Sequence, residues 1–171
     1  MIEGIAFIFL AIWFITMMFL PWMQGYKRLL KSTVLLTASF TLYALLQAEY
    51  AAASITAISF LAVFAQLLLP ESNSLKSKLM RNGIAIFFSV IAVILLYQKP
   101  IDILPCLGSA IIRVSEAQQS PIIMKTGYIT GIIMWAIFGY YAELYTMFVM
   151  QFLILFSYLA KFAHASKAQR A

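Results

Sequence analysis

Acids, cysteine and histidine are all scarce in this sequence. Of 171 residues, six are Asp or Glu, one is cysteine and one is histidine. With Cys106 alone, neither an intrachain disulfide nor a cysteine-built metal site can form. His164 lies in a basic tail with no nucleophile beside it. Carboxylate pairs at catalytic spacing, glycine-rich phosphate loops and metal-ligand clusters are missing too. These absences exclude the common enzyme chemistries, and no cofactor or metal is expected. Charge of either sign is also thin, at 11% of residues against about 25% in soluble domains.

Apolar side chains fill the space. The hydrophobic fraction is 64%, where globular domains hold roughly 45–50%, and the mean hydropathy is +0.94. The class is a polytopic membrane protein. Seven spans of about 20 residues would use roughly 140 positions, leaving no space for a soluble catalytic domain. The first residues, Met1-Ile2-Glu3-Gly4, are acidic where a secretory signal is basic, so the first apolar block is expected to be a retained helix.

Apolar runs bounded by charge, Pro and Gly predict spans at 4–23, 30–48, 51–69, 80–97, 101–118, 122–141 and 144–161. Continuous apolarity predicts helices, because a membrane strand alternates its faces. The fold class is therefore all-α. The run 101–118 is the weakest span, since it carries Asp102, Pro105, Arg113 and Glu116. Charge placement supports it independently. With seven spans, one side holds Lys27, Arg28, Lys31, Lys76, Lys78, Arg81, Arg113, Lys125, Lys161, Lys167 and Arg170, and the other only Lys99. Eleven of twelve cations on one side is the positive-inside pattern for an outer N-terminus and an inner C-terminus. The net charge of +6 thus reports topology, and its scattered cations give no nucleic-acid stripe.

Lys31 and Glu49 bracket the second span, and Lys125 and Glu143 bracket the sixth at the same separation. An offset of 94 also pairs Ala48-Glu49 with Ala142-Glu143. This predicts a parallel repeat: 4–69 as a first three-helix unit, 70–79 as a cytoplasmic loop, 80–97 as a reversing linker helix, 101–161 as a second unit and 162–171 as a basic cytoplasmic tail. Sites in such repeats lie where the units face each other.

The run Lys99-Pro100-Ile101-Asp102-Ile103-Leu104-Pro105-Cys106-Leu107-Gly108-Ser109, then Lys125, then Trp135-Ala136-Ile137-Phe138-Gly139, resembles the YgjV-like family of bacterial inner membrane proteins. That family is similar in plan to the SWEET and PQ-loop transporters, whose two triple-helix bundles flank a linker helix and pass sugars or other small solutes. The resemblance implies a multi-pass protein of the bacterial inner membrane, N-terminus periplasmic and C-terminus cytoplasmic, with a transporter-like architecture. It departs from the pattern at Phe138-Gly139, where a polar residue is usual, and at Gln151, where an acid is expected, so proton coupling is not implied.

Individual residues admit two readings each. Gly127, Gly131, Trp135 and Gly139 recur every four positions in the sixth span. They form either a helix-packing face, with Gly127 and Gly131 letting backbones approach, or an aromatic wall at Trp135 with space at Gly139 for a solute. Pro105 and Gly108 make either a hinge or a static kink. Arg113 and Glu116, three apart and about five residues deep, form either a snorkelling ion pair or a cytoplasmic gate. Gln151 and Tyr158, seven apart, bond another helix or bind solute. Tyr26, Trp22, Tyr50, Tyr97, Tyr140, Tyr141 and Tyr145 read as interfacial anchors. The expected activity is transport or binding of a small solute by alternating access. The alternative is a non-transporting assembly or stress-related component acting through its Gly face. Expected partners are the lipid bilayer, a small-molecule solute and a second copy of the chain.

Overall fold

The computed structural model describes residues 2–72, 74–97 and 99–168, and the side chains among them other than those of Ile2, Ala51, Leu96, Thr146 and 162–168. The described residues form seven α-helices: α1 (Ile2–Phe19), α2 (Tyr26–Leu46), α3 (Tyr50–Leu68), α4 (Leu75–Leu96), α5 (Ile103–Ala117), α6 (Pro121–Tyr141) and α7 (Tyr145–Ala168). Short 3-10 turns follow α1 (Leu20–Trp22) and precede α5 (Pro100–Asp102). The chain is all-α.

Four segments, Glu3–Trp22, Tyr26–Leu46, Leu75–Leu95 and Pro121–Tyr141, are long and apolar enough to cross a bilayer. They carry large exposed apolar side chains such as Phe7, Ile8, Ile94 and Ile122, a surface suited to lipid rather than water. These features identify a membrane protein. Helices α3 and α7 supply shorter apolar segments, Ala52–Leu68 and Met147–Lys161. Helix α5 is the polar exception. Its 15 residues cover about 22 Å at helical rise, and the 3-10 turn before it adds about 6 Å.

Helix ends follow from local chemistry. Pro21 cannot continue α1, because it has no N–H and its ring clashes with the preceding turn. Ser74 and Ser120 accept hydrogen bonds from Ser77 N (3.2 Å) and Ile123 N (3.4 Å) to begin α4 and α6. The linker after α3 is shorter than expected: α4 begins at Leu75, so Lys76 and Lys78 lie on its first turns. The expected tail is also helical as far as Ala168, while the side chains of His164 and Lys167, and the whole of Arg170, lie outside the described residues.

Packing runs α1–α2–α3–α5–α6–α7 and back to α1, with α4 lying outside against α3 and α5. In this ring α1 stands opposite α5, α2 opposite α6 and α3 opposite α7. The two return turns share one geometry. Ala48 and Glu143 both adopt left-handed φ, 58° and 61°. Glu49 N donates to Ala44 O at 2.9 Å, as Leu144 N does to Gly139 O at 2.8 Å, each a Schellman closure. The structural register of the halves is therefore 95, one more than the Lys–Glu landmarks indicate. Glu49 leads into α3, whereas Glu143 occupies the turn itself; acids at helix ends mark the membrane surface without marking the turn position.

Candidate functional site

All six ring helices line one central cavity of about 130 Å³, and none of its lining residues comes from α4. Its walls obey the 95-residue register. Met17 faces with Ile112, Thr33 with Tyr128, Thr37 with Ile132, Phe40 with Trp135 and Thr56 with Gln151, every one of them a lining residue. Thr33 and Tyr128 meet on the axis itself: Thr33 Oγ1 lies 2.7 Å from Tyr128 OH.

The cavity has two characters. Toward the starts of α3 and α7 it is aromatic, with Trp13 and Phe40 at 5.1 Å between ring centroids and Trp135 opposite. Toward the starts of α2 and α6 it is polar and ionic. Tyr128 OH donates to Glu116 Oε1 at 2.7 Å. Arg113 donates to Ser59 Oγ at 2.6 Å and to Phe88 O at 3.1 Å. Glu116 is 0% and Arg113 1% exposed. This corrects the snorkelling expectation: both side chains turn into the bundle, and their hydrogen bonds lead to different partners. Helix α5 tolerates them because they lie on its buried face, against other helices, while Leu107 and Val114 form its exposed face.

Three lining side chains keep buried atoms without hydrogen-bond partners: Arg113 Nε, Glu116 Oε2 and Gln151 Oε1. Such an atom costs about 1–3 kcal/mol when it stays unpaired. Tyr158, with Gln151 on α7, is fully buried, and its hydroxyl is likewise unpartnered, but it belongs to the apolar core beside the cavity rather than to the lining.

The glycines divide by task. A Cβ on Gly127 would run into Ser115 Oγ; one on Gly131 would lie 2.5 Å from Ile112 Cδ1; one on Gly108 would lie 3.2 Å from Gly131 O. These three bring α5 and α6 together. Gly139 stands apart from the cavity: its Cβ would lie 3.0 Å from Met147 Cε, so its smallness serves the α6–α7 turn and leaves no space beside Trp135. Pro105 sits at the third position of α5. The N–H it lacks would have had no helical acceptor there, so the expected kink does not arise. Asp102 accepts from Lys99 N at 2.7 Å, holding the turn that leads into α5.

A second polar layer closes the bundle below the cavity. Arg81, expected as a surface cation, is 0% exposed. It donates to Gln66 O (3.0 Å), Leu69 O (2.9 Å) and Pro70 O (3.2 Å), and to Tyr26 OH (2.8 Å). It thereby satisfies the carbonyls that α3 leaves free at its end. Tyr26 is no interfacial anchor: it is buried, and its hydroxyl donates to Glu116 O at 2.8 Å. Lys125 donates to Pro21 O and Met23 O, both at 2.8 Å, and Ser157 to Met18 O at 2.7 Å. Hydrogen bonds between α1–α3 and α5–α7 thus lie in the cavity wall, at Thr33–Tyr128 and Ser59–Arg113, and at this end of the bundle.

Sequence reasoning missed Trp13, Thr33, Phe40 and Tyr128 as lining residues, and Arg81 and Tyr26 as a buried pair. Their residue types are ordinary in a membrane helix; only the 95-residue spacing of Thr33 to Tyr128 and of Phe40 to Trp135 would have singled them out. No protein-family model, curated protein or solved structure matches this chain.

Proposed function

We propose that this protein is a seven-span carrier of the inner bacterial membrane that moves a small polar solute by alternating access between α1–α3 and α5–α7, with α4 as the linker that reverses the second half. In this reading its plan is that of the SWEET and PQ-loop group, its N-terminus is periplasmic and its C-terminus cytoplasmic. The observation that carries it is the cavity, lined by register-related residues of both halves. A site shared by two similar units can be uncovered from either side by rocking one unit against the other. Gly127 and Gly131 of α6 are occupied by α5, so the assembly-component alternative would need another face.

Uptake by purified protein in liposomes, screened over sugars, amino acids and nucleobases, tests the proposal. Flux of one class, lost in Trp135→Ala while expression and folding persist, is the expected result; absence of flux for every class overturns it.

A further inference from the structure

We propose that the cavity takes a small zwitterion of the neutral amino acid class, its carboxylate on Arg113 and its ammonium group on Glu116. This rests on the transport reading above and narrows its substrate.

Charge is the first argument. Arg113 and Glu116 are the lining residues with formal charge, one of each sign, and both are buried. In a medium of low dielectric, charges act strongly at short range. An anion would be drawn to Arg113 but opposed by Glu116, and a cation the reverse. A solute of zero net charge with separated poles suits both.

The unpartnered atoms give the second. Arg113 Nε is a donor, and Glu116 Oε2 and Gln151 Oε1 are acceptors. A carboxylate only accepts and an ammonium group only donates, so one zwitterion meets Arg113 Nε and Glu116 Oε2 together. Sugar hydroxyls could satisfy the hydrogen bonds, but they bring no formal charge to set against Arg113 and Glu116.

Size is the third. The cavity is about 130 Å³, close to the roughly 150 Å³ that accommodates benzene. Alanine, like benzene, has about six non-hydrogen atoms, and a hexose has about twice that on the same scale. Trp13, Phe40 and Trp135 at the other end of the cavity offer an apolar wall to a short side chain.

The test uses the full-length protein purified in detergent, with radiolabelled L-alanine as probe and propionate, ethylamine and D-glucose as competitors. Saturable alanine binding is expected, with propionate and ethylamine competing at least tenfold more weakly and glucose not at all. Glu116→Gln should lower the preference for alanine over propionate at least tenfold, because Arg113 then stands unopposed. Propionate competing as well as alanine, glucose binding in place of alanine, no binding of alanine, or an unchanged preference in a folded Glu116→Gln variant would each overturn the proposal. Parallel uptake in liposomes separates it from the reading beneath it. Alanine binding without flux upholds the site and refutes transport, whereas glucose flux without alanine binding refutes the zwitterion and leaves transport standing.

Discussion

Tyr128 holds together the centre of the molecule through a single oxygen. It bridges Thr33 of one half and Glu116 of the other, and Tyr128→Phe would leave Glu116 Oε1 without its donor. A loss of about 1–3 kcal/mol in stability is expected, read as a lower thermal midpoint in detergent. Glycines offer a sharper contrast. Gly127→Ala forces a methyl group into Ser115 and should cost about 1–3 kcal/mol, as overpacking does. Gly83→Ala meets nothing within 4 Å and should stabilise by up to about 1 kcal/mol, the difference in helix propensity; equal midpoints for the two variants would contradict this packing. At this scale the sequence was only partly legible. Gln151 and Trp135 stood out because an amide and an indole are conspicuous within apolar runs. Thr33 and Tyr128 did not, since a threonine can bond its own helix, as Thr33 also does to Leu29 O, and a single tyrosine within an aromatic-rich apolar run is inconspicuous. Which hydroxyl turns inward depends on the packing angle of its helix, and composition does not encode that.

Each helix could be found from apolar periodicity, yet its ends depended on chemistry that hydropathy ignores. Helix α2 starts at Tyr26 and α4 at Leu75, earlier than their apolar runs, because Lys27, Arg28, Lys31, Lys76 and Lys78 are good helix formers that extend toward water. The interior end of α3 is set by Arg81, which binds three carbonyls there. Lys at this position presents a point charge in place of a planar fork, so Arg81→Lys should lose about 1.5–3 kcal/mol, the range for hydrogen bonds to charged groups. Circular dichroism melts of the two proteins in the same detergent measure it. Helix α5 illustrates how a polar segment becomes tenable: Arg113 and Glu116 face bundle partners, so its low hydropathy describes what encloses it rather than whether it belongs in the membrane.

At the scale of the whole molecule, an all-α chain of seven helices was legible in the apolar runs, and the likeness of the two return turns in the Lys–Glu landmarks. The register of the halves was not, since acids near a turn tolerate a shift of one residue while the hydrogen bonds that close the turn do not. With seven spans, a C-terminal reporter is expected to be active only in the cytoplasm; periplasmic activity would refute that topology. Besides Thr33–Tyr128 and Ser59–Arg113 in the cavity, the halves are joined at one end by Lys125 at Pro21 and Met23, by Tyr26 at Glu116 and by Ser157 at Met18. Lys125→Ala removes two of these contacts and should raise the reactivity of a cysteine introduced at Met18 toward a water-soluble maleimide, in a Cys106→Ser background; unchanged reactivity would mean that the contacts do not hold this end shut.

That one-sided fastening gives the molecule a polarity in the energetic sense. A difference of about 1.4 kcal/mol between two arrangements is a tenfold difference in population, and a site exposed for only a fraction of the time shows an apparent affinity reduced by that fraction. If solute crosses through this cavity, half-saturation measured from the two faces of the membrane should therefore differ, with tighter apparent binding on the face away from Lys125. Loosening Lys125 should bring the two values together without altering a single residue that lines the cavity.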